Sequence, residues 1–349
     1  MIKIDYLIIG QGLAGSLLAW ELTQRQQKVI VIDNNQVNAS SVAAGLINPV
    51  TGMRFVKSTD VDQLLPTAID FYQKLAQYFK QTFYVEKPML RLIRNIKELS
   101  ACEKRFKDKA YTPYLENIIP LHPDINSSLG LLKQNKTAYL LTAPLLAALK
   151  DYFISLDIYI NTHFQYDSIK LSPVLQWKKF QPKGIIFCEG HFATKNPWFS
   201  SLPFQLVKGE IITATAKEKI QPSILNYGNW FIPLNEKKFR TGATFDRENI
   251  NINVTLSAKK QLLGSLKQVY PRLQIEQIIN QQVGIRPTTL DKMPFVGQHP
   301  KHPELSIFNG FGSKGSLQIP WHCQRFADNL LIKTPLQSSS DIQRYHALF

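Results

Sequence analysis

The sequence predicts an α/β fold: a nucleotide-binding unit on a parallel sheet, with a second, β-rich unit inserted into it. Three observations carry this expectation. The chain opens as apolar run, glycine-rich turn, helix and second apolar run. Short buried strands of the same kind recur further on. After Pro203 the pattern changes to β-rich segments with polar alternation. With 349 residues, 44% hydrophobic and 19% charged, the composition is that of a globular protein. At roughly 150 residues per domain, the length suits about two domains.

Tyr6 to Gly10 is a continuous apolar run, the mark of a parallel strand buried on both faces. Gly12 to Gln24 reads as a helix, with Leu17, Leu18 and Leu22 at helical spacing. Lys28 to Asp33 is a second buried strand and completes a βαβ opening. Val61 to Lys80 is helical, with Leu64, Leu65, Ile69, Tyr72, Leu75 and Phe79 on one side. Tyr84 to Ile96 alternates as strands. Thr142 to Ile154 is a helix, with Thr142 as expected N-cap and Pro144 in the first turn. Gly184 to Cys188 is another buried strand. Leu206 to Ala216, Trp230 to Pro233 and Phe239 to Ala243 suit an antiparallel sheet with one wet face. Ser257 to Val269 returns to helix, Leu305 to Asn309 is strand, and Ser316 to Leu331 is a closing helix. The expected nucleotide-binding domain comprises 1–84, 141–198 and 284–349. The expected substrate domain comprises 85–140 and 199–283.

Several function classes fall away. No run of roughly 18 apolar residues is present, so no membrane span is expected. The first residues lead straight into a strand, not a secretion signal, and the expected compartment is the cytoplasm. Cys102, Cys188 and Cys323 are odd in number and far apart, which argues against a disulfide framework and a thiolate metal site. The seven histidines form no HxH or HExxH, and no G-x-S-x-G occurs. The net charge is +15. Its basic clusters are short and scattered (Lys178-Lys179, Lys237-Lys238, Lys259-Lys260), as on a solvated surface. The competing reading is attraction to an anionic partner such as nucleic acid.

Gly10-Gln11-Gly12-Leu13-Ala14-Gly15 is a GxGxxG between an expected strand and helix, with Asp33 ending the next strand. Gly10 permits the tight turn, Gly12 lets backbone approach a pyrophosphate, and Gly15 lets helix and strand pack closely. The helix N-terminus at Leu13 and Ala14 supplies N–H groups for the phosphates. Asp33, with Asn34 beside it, would accept hydrogen bonds from an adenosine ribose. FAD and NAD share this fingerprint. The stretch Ala39 to Pro49 follows the second strand directly. Ser40 or Ser41 could reach phosphate, and Ala44, Gly45 and Leu46 could bring chain close to a flat ring. Asn309 to Ser316 is a glycine-rich turn leading into the last helix, again an anion or oxyanion site.

These segments resemble the D-amino-acid oxidase family of FAD-dependent oxidoreductases, and within it the glycine and sarcosine oxidase branch. The matching stretches are DYLIIGQGLAG, ASSVAAG, VKGE at Val207 to Glu210, FRTGATFD at Phe239 to Asp246, GIRPTTLDKMPFVG at Gly284 to Gly297, and NGFGSKGS at Asn309 to Ser316. The resemblance runs from Asp5 to about Lys333. It implies a Rossmann-like FAD-binding domain with an inserted antiparallel β-rich substrate domain. It also implies noncovalent FAD: where covalent relatives carry their linking cysteine, this chain has Gly284. Arg286 matches the arginine that grips a substrate carboxylate, through two parallel hydrogen bonds. The competing reading of Arg286 is an ion pair with Asp291. Gly312, Ser313, Lys314, Gly315 and Ser316 match the loop facing the flavin pyrimidine, where N–H groups and Lys314 would favour negative charge on reduced flavin. Lys314 pointing to solvent is the alternative. Trp230 stands where relatives place a substrate-facing tyrosine, but an indole cannot accept a hydrogen bond. A core tryptophan is the alternative. Phe164 and Gly190 match positions along the adenosine.

The implied reaction is oxidation of a C–N bond in an amino acid or N-substituted glycine, with hydride passing to flavin N5 and the imine hydrolysing in water. No catalytic protein acid or base is expected. One alternative is oxidative removal of a carboxymethyl group from a modified wobble uridine in tRNA, where the charge would attract phosphates. The other is a non-catalytic flavin-binding protein.

Overall fold

The structure is a computed structural model that describes residues 1–349. Strands Ile2–Ile9, Val29–Asp33, Tyr159–Asn161, Phe180–Phe187 and Leu305–Asn309 form a parallel sheet. Their spatial order runs 159–161, 29–33, 2–9, 180–187, 305–309. Strand Phe295–Gln298 adds antiparallel to the last, and a small hairpin (Ile169–Lys170, Gln176–Trp177) joins the start of Phe180–Phe187. The expected strands at Tyr6, Lys28, Gly184 and Leu305 are all in this sheet. Their unbroken apolar runs follow from helices covering one face and aromatic packing the other. Helix Leu13–Gln24 is apolar nearly all round because it lies between that sheet and the last helix, Gly315–Ile332.

Helix Val61–Phe79 buries the expected stripe of Leu64, Leu65, Tyr72 and Leu75. Thr142 is not the N-cap of its helix. That place is taken by Leu141, and the buried Thr142 hydroxyl instead donates to Ala43 O at 3.3 Å. Ile96 does not end a strand either. It opens helix Ile96–Phe106, whose only buried residues are Glu98 and Cys102. Its apolar residues Ile96, Leu99, Cys102 and Phe106 stand at helical spacing, and Asn95 caps it by accepting from the Glu98 N–H at 2.9 Å.

The second large sheet has eight strands in the order 275–289, 204–216, 238–242, 230–233, 224–226, 89–92, 131–134, 115–119. It is antiparallel except where 224–226 runs parallel to 89–92. Helix Leu256–Val269 packs on one face, with Leu262 and Leu266 against Ile212, Phe231 and Phe239. Strand Ile275–Thr289 runs unbroken through position 284. The expected boundary at 283/284 therefore falls inside one strand, which carries the second sheet through Arg286 towards the first. No helix is long and apolar enough to cross a membrane.

Candidate active site

One cavity of about 700 Å³ dominates the molecule. It opens at the carboxyl ends of the parallel strands, where Gly10, Asp33, Glu189 and Asn309 lie, and its far wall is the second sheet. That is the crevice where doubly wound sheets bind nucleotides.

Gly10 sits at φ +104°, and a Cβ there would lie 2.6 Å from Cys188 O. A Cβ on Gly15 would lie 1.9 Å from Gly10 O, so this glycine serves the packing of helix on turn and does not line the cavity. Gly12, Leu13 and Ala14 do line it. Helix Leu13–Gln24 has no side chain of its own N-cap residue bonded to its first turn, which leaves its N-terminus open to an anion. The Leu13 N–H donates to Ser40 Oγ at 2.9 Å. Asp33 is held by the backbone N–H of Gln11 at 2.8 Å and of Asn35 at 2.7 Å, which fixes its carboxylate at the cavity wall beside Asn34.

Ser40, Ala44, Gly45 and Leu46 line the cavity. Ser41 does not. Its hydroxyl donates to Asn38 O, and Asn38 N–H donates to it, in a capping box for the turn Ala39–Val42. The expectation that Ser41 reaches phosphate is thereby corrected: its hydroxyl is used locally. Phe164 and Gly190 also border the cavity, at the end shared with Asp33.

The last helix repeats the arrangement of the first. Gly312 has φ +53°, Lys314 is the N-cap residue, and its side chain makes no capping bond. Ser313, Gly315 and Ser316 line the cavity with them. Lys314 does not point freely to solvent. It is half-buried and its ammonium donates to Ser58 Oγ at 3.2 Å. Burial and the nearby Lys292 push its pKa below the ordinary value.

At the far wall stand Arg286 and Trp230, with Gly209, Ile211, Asn226 and Ala243. Arg286 forms no ion pair with Asp291, which is taken by Arg344 at 2.9 Å and Tyr345 at 3.0 Å. Its single protein hydrogen bond is a long one, 3.5 Å to Thr244 O. Burial lowers its pKa with no anion to offset the loss of hydration. A desolvated guanidinium without an anion is a receptor for one. Trp230 lies over Gly242, where a Cβ would come within 2.8 Å of the indole. It borders the cavity, unlike the core tryptophan Trp177.

Three further residues shape the site. Arg240 is half-buried and its guanidinium donates to Ala43 O at 2.9 Å and Val42 O at 2.5 Å, tying the second sheet to the loop after Ser40. Gln11 anchors the glycine turn through its amide, to Ser16 Oγ at 3.0 Å and Leu146 O at 2.9 Å. Glu189 borders the cavity and accepts from Tyr166 at 2.7 Å and Asn196 at 2.8 Å. Burial pushes its carboxyl up to about 7, against those two hydrogen bonds. Of the cysteines only Cys188 lines the cavity, and burial raises its thiol well above the ordinary value. No group of His, Cys, Asp and Glu could hold a metal ion.

The helix N-termini at the cavity, the glycine turn that a Cβ would block, and the anchored Asp33 fit the phosphates and ribose of FAD. Comparison with known proteins agrees. A family model described as FAD dependent oxidoreductase (DAO) matches residues 5–329. The chain is 24% identical to the tRNA 5-methylaminomethyl-2-thiouridine biosynthesis bifunctional protein MnmC of Marinobacter nauticus, over 93% of this chain and 55% of that protein. It thus spans only about half of that relative's length. It is 22% identical to glycine oxidase of Pseudomonas putida, over 95% of each chain. Among solved structures, glycine oxidase of Geobacillus kaustophilus superposes with a TM-score of 0.83 at 19% identity, covering 99% of this chain and 98% of that one.

Proposed function

The chain belongs to the DAO family of FAD-dependent oxidoreductases, and from that premise we propose that it oxidises a C–N bond in a carboxylated amine, an amino acid or an N-substituted glycine. The observation that carries this reading is Arg286, half-buried at the cavity wall and without a carboxylate partner. Its planar fork would take the substrate carboxylate through two parallel hydrogen bonds. Bound FAD, held without a covalent link, supplies the acceptor for the hydride leaving the carbon beside nitrogen. The chain's part is to orient the amine and to set the electrostatics. Arg286 fixes one end of the substrate, and Trp230 walls the other. The N–H groups at Ser313 to Ser316, with Lys314, place positive potential on the cavity. Gly209, Ile211, Asn226, Trp230 and Ala243 line the same cavity as Arg286, and none of them is a titratable base. Hydride transfer from a neutral amine needs none. The test is Arg286→Ala. Oxidation of a carboxylated amine should fall by about 10- to 100-fold in kcat/KM, the range for a lost charged hydrogen-bond pair, while the matching amine without a carboxylate is unaffected. Equal effects on both would reject the clamp.

A second reading, removal of a carboxymethyl group from a modified wobble uridine in tRNA, is supported by the charge distribution. Residues 85–140 and 199–283 carry 21 Lys and Arg against 12 Asp and Glu. The carboxymethylamino group is itself an N-substituted glycine, so Arg286 would do the same work. This reading requires tRNA binding that weakens steeply with salt; binding indifferent to salt, or none, rejects it.

A further inference from the structure

We infer that Gly209 is a positioning residue for Arg286: the absence of a side chain at 209 is what lets the guanidinium lie flat against the neighbouring strand and face the cavity. The inference rests on the reading of Arg286 as the carboxylate clamp. A Cβ at Gly209 would lie 2.1 Å from Arg286 Nη2, 2.6 Å from Cζ and 2.9 Å from Nη1. Those three atoms define the guanidinium plane, so the group lies face-on over the backbone of residue 209. The residue paired with Gly209 across the ladder is Gly284, so no side chain crowds the shelf from there either.

The shelf cannot retreat. Side chains alternate along a strand, so Lys208 and Glu210 project from the other face. Both are almost fully buried. The Lys208 ammonium donates to Asn251 Oδ1 at 2.9 Å and stands 3.7 Å from Glu210 Oε1. Glu210 accepts from the Thr255 N–H at 2.9 Å, the Thr255 hydroxyl at 3.0 Å and the Gln281 amide at 2.6 Å. The Glu210 N–H donates to Thr244 Oγ1 at 2.8 Å, and Thr244 O is the one acceptor Arg286 has. A methyl at 209 must therefore push the guanidinium, the flexible partner, rather than the strand. The backbone of Gly209 is not in the left-handed region, so alanine suits it.

The experiment compares Gly209→Ala, Arg286→Ala and the double variant, each with FAD, on one carboxylated amine and on the same amine lacking the carboxylate. Gly209→Ala should raise KM for the carboxylated amine about tenfold and leave the other amine within about twofold. Added to Arg286→Ala it should change nothing further, because residues acting through one contact are not additive. An unchanged KM, equal effects on both amines, or an additive double variant overturns the inference while leaving the clamp standing. If Arg286→Ala itself fails to separate the two amines, the clamp reading falls and the inference with it. Should Gly209→Ala not fold, the double variant decides. Folding regained on removal of the Arg286 side chain supports the clash, and continued misfolding overturns it.

Discussion

Ser40 Oγ accepts the backbone N–H of Leu13 at 2.9 Å, joining the loop after the second strand to the first turn of the first helix. Two segments that are 27 residues apart thus meet where the pyrophosphate would lie. Ser40→Ala removes a capping contact worth about 1 kcal/mol, so the Kd of the apoprotein for FAD should rise about fivefold. Fluorescence titration of apoprotein with FAD measures it. An unchanged Kd would show that the hydroxyl does not contribute to the phosphate site.

Gly15→Ala is expected to act more harshly. The added methyl would meet a backbone oxygen, which cannot swing away as a side-chain end can. Overpacking of this kind costs about 1–3 kcal/mol, and here it shifts the helix end that faces the cofactor. The variant should purify with little or no flavin and a lowered Tm. Full flavin content would contradict the packing role.

Glu189 should make stability pH-dependent. Its carboxyl is raised to about 7 in the fold by burial, against the ordinary carboxylate value in the unfolded chain. A raised folded pKa means that the native state holds the proton longer. The contribution is fully present below the unfolded pKa and is lost as pH rises through about 7, amounting to up to about 3 kcal/mol. In Glu189→Gln, the Tyr166 hydroxyl can turn to accept from the new amide while Asn196 still donates. The Tm of that variant should fall less than wild type between pH 5 and pH 8. Parallel Tm profiles would refute the assignment.

Trp230→Ala should open the far end of the cavity beside Gly242. Amines with larger N-substituents should gain in kcat/KM relative to small ones, as the ratio of rates across a substrate series reports. A series that keeps its wild-type order would place the indole outside substrate contact.

The site was legible in the sequence wherever a local rule forces the residue type. The turn from Gly10 to Gly15 and Asp33 could be read because a tight turn, a close approach and a strand end dictate them within one βαβ unit. Gly312 to Ser316 was legible for the same reason. Arg286 stands out only through its motif, and that Asp291 pairs with Arg344 rather than with it is a tertiary fact. Gln11 and Arg240 lie inside matched stretches and Glu189 follows a strand, but what each does rests on partners set by packing, not by spacing. Helix Ile96–Phe106 is legible too, from Ile96, Leu99, Cys102 and Phe106 at helical spacing behind the Asn95 cap, and a strand reading carried through to Ile96 hides its start. Ser41 and Thr142 misled for a related reason. A hydroxyl near a helix start has several nearby partners, and sequence does not say which one it takes.

The most direct test of the account is anaerobic titration of the purified flavoprotein with a panel of amino acids and N-substituted glycines, followed by the visible flavin spectrum. The oxidised-flavin band should bleach with these carboxylated amines and not with the matching amines lacking the carboxylate, and Arg286→Ala should abolish this selectivity. A protein that takes up no FAD, or whose flavin no carboxylated amine reduces, would contradict it.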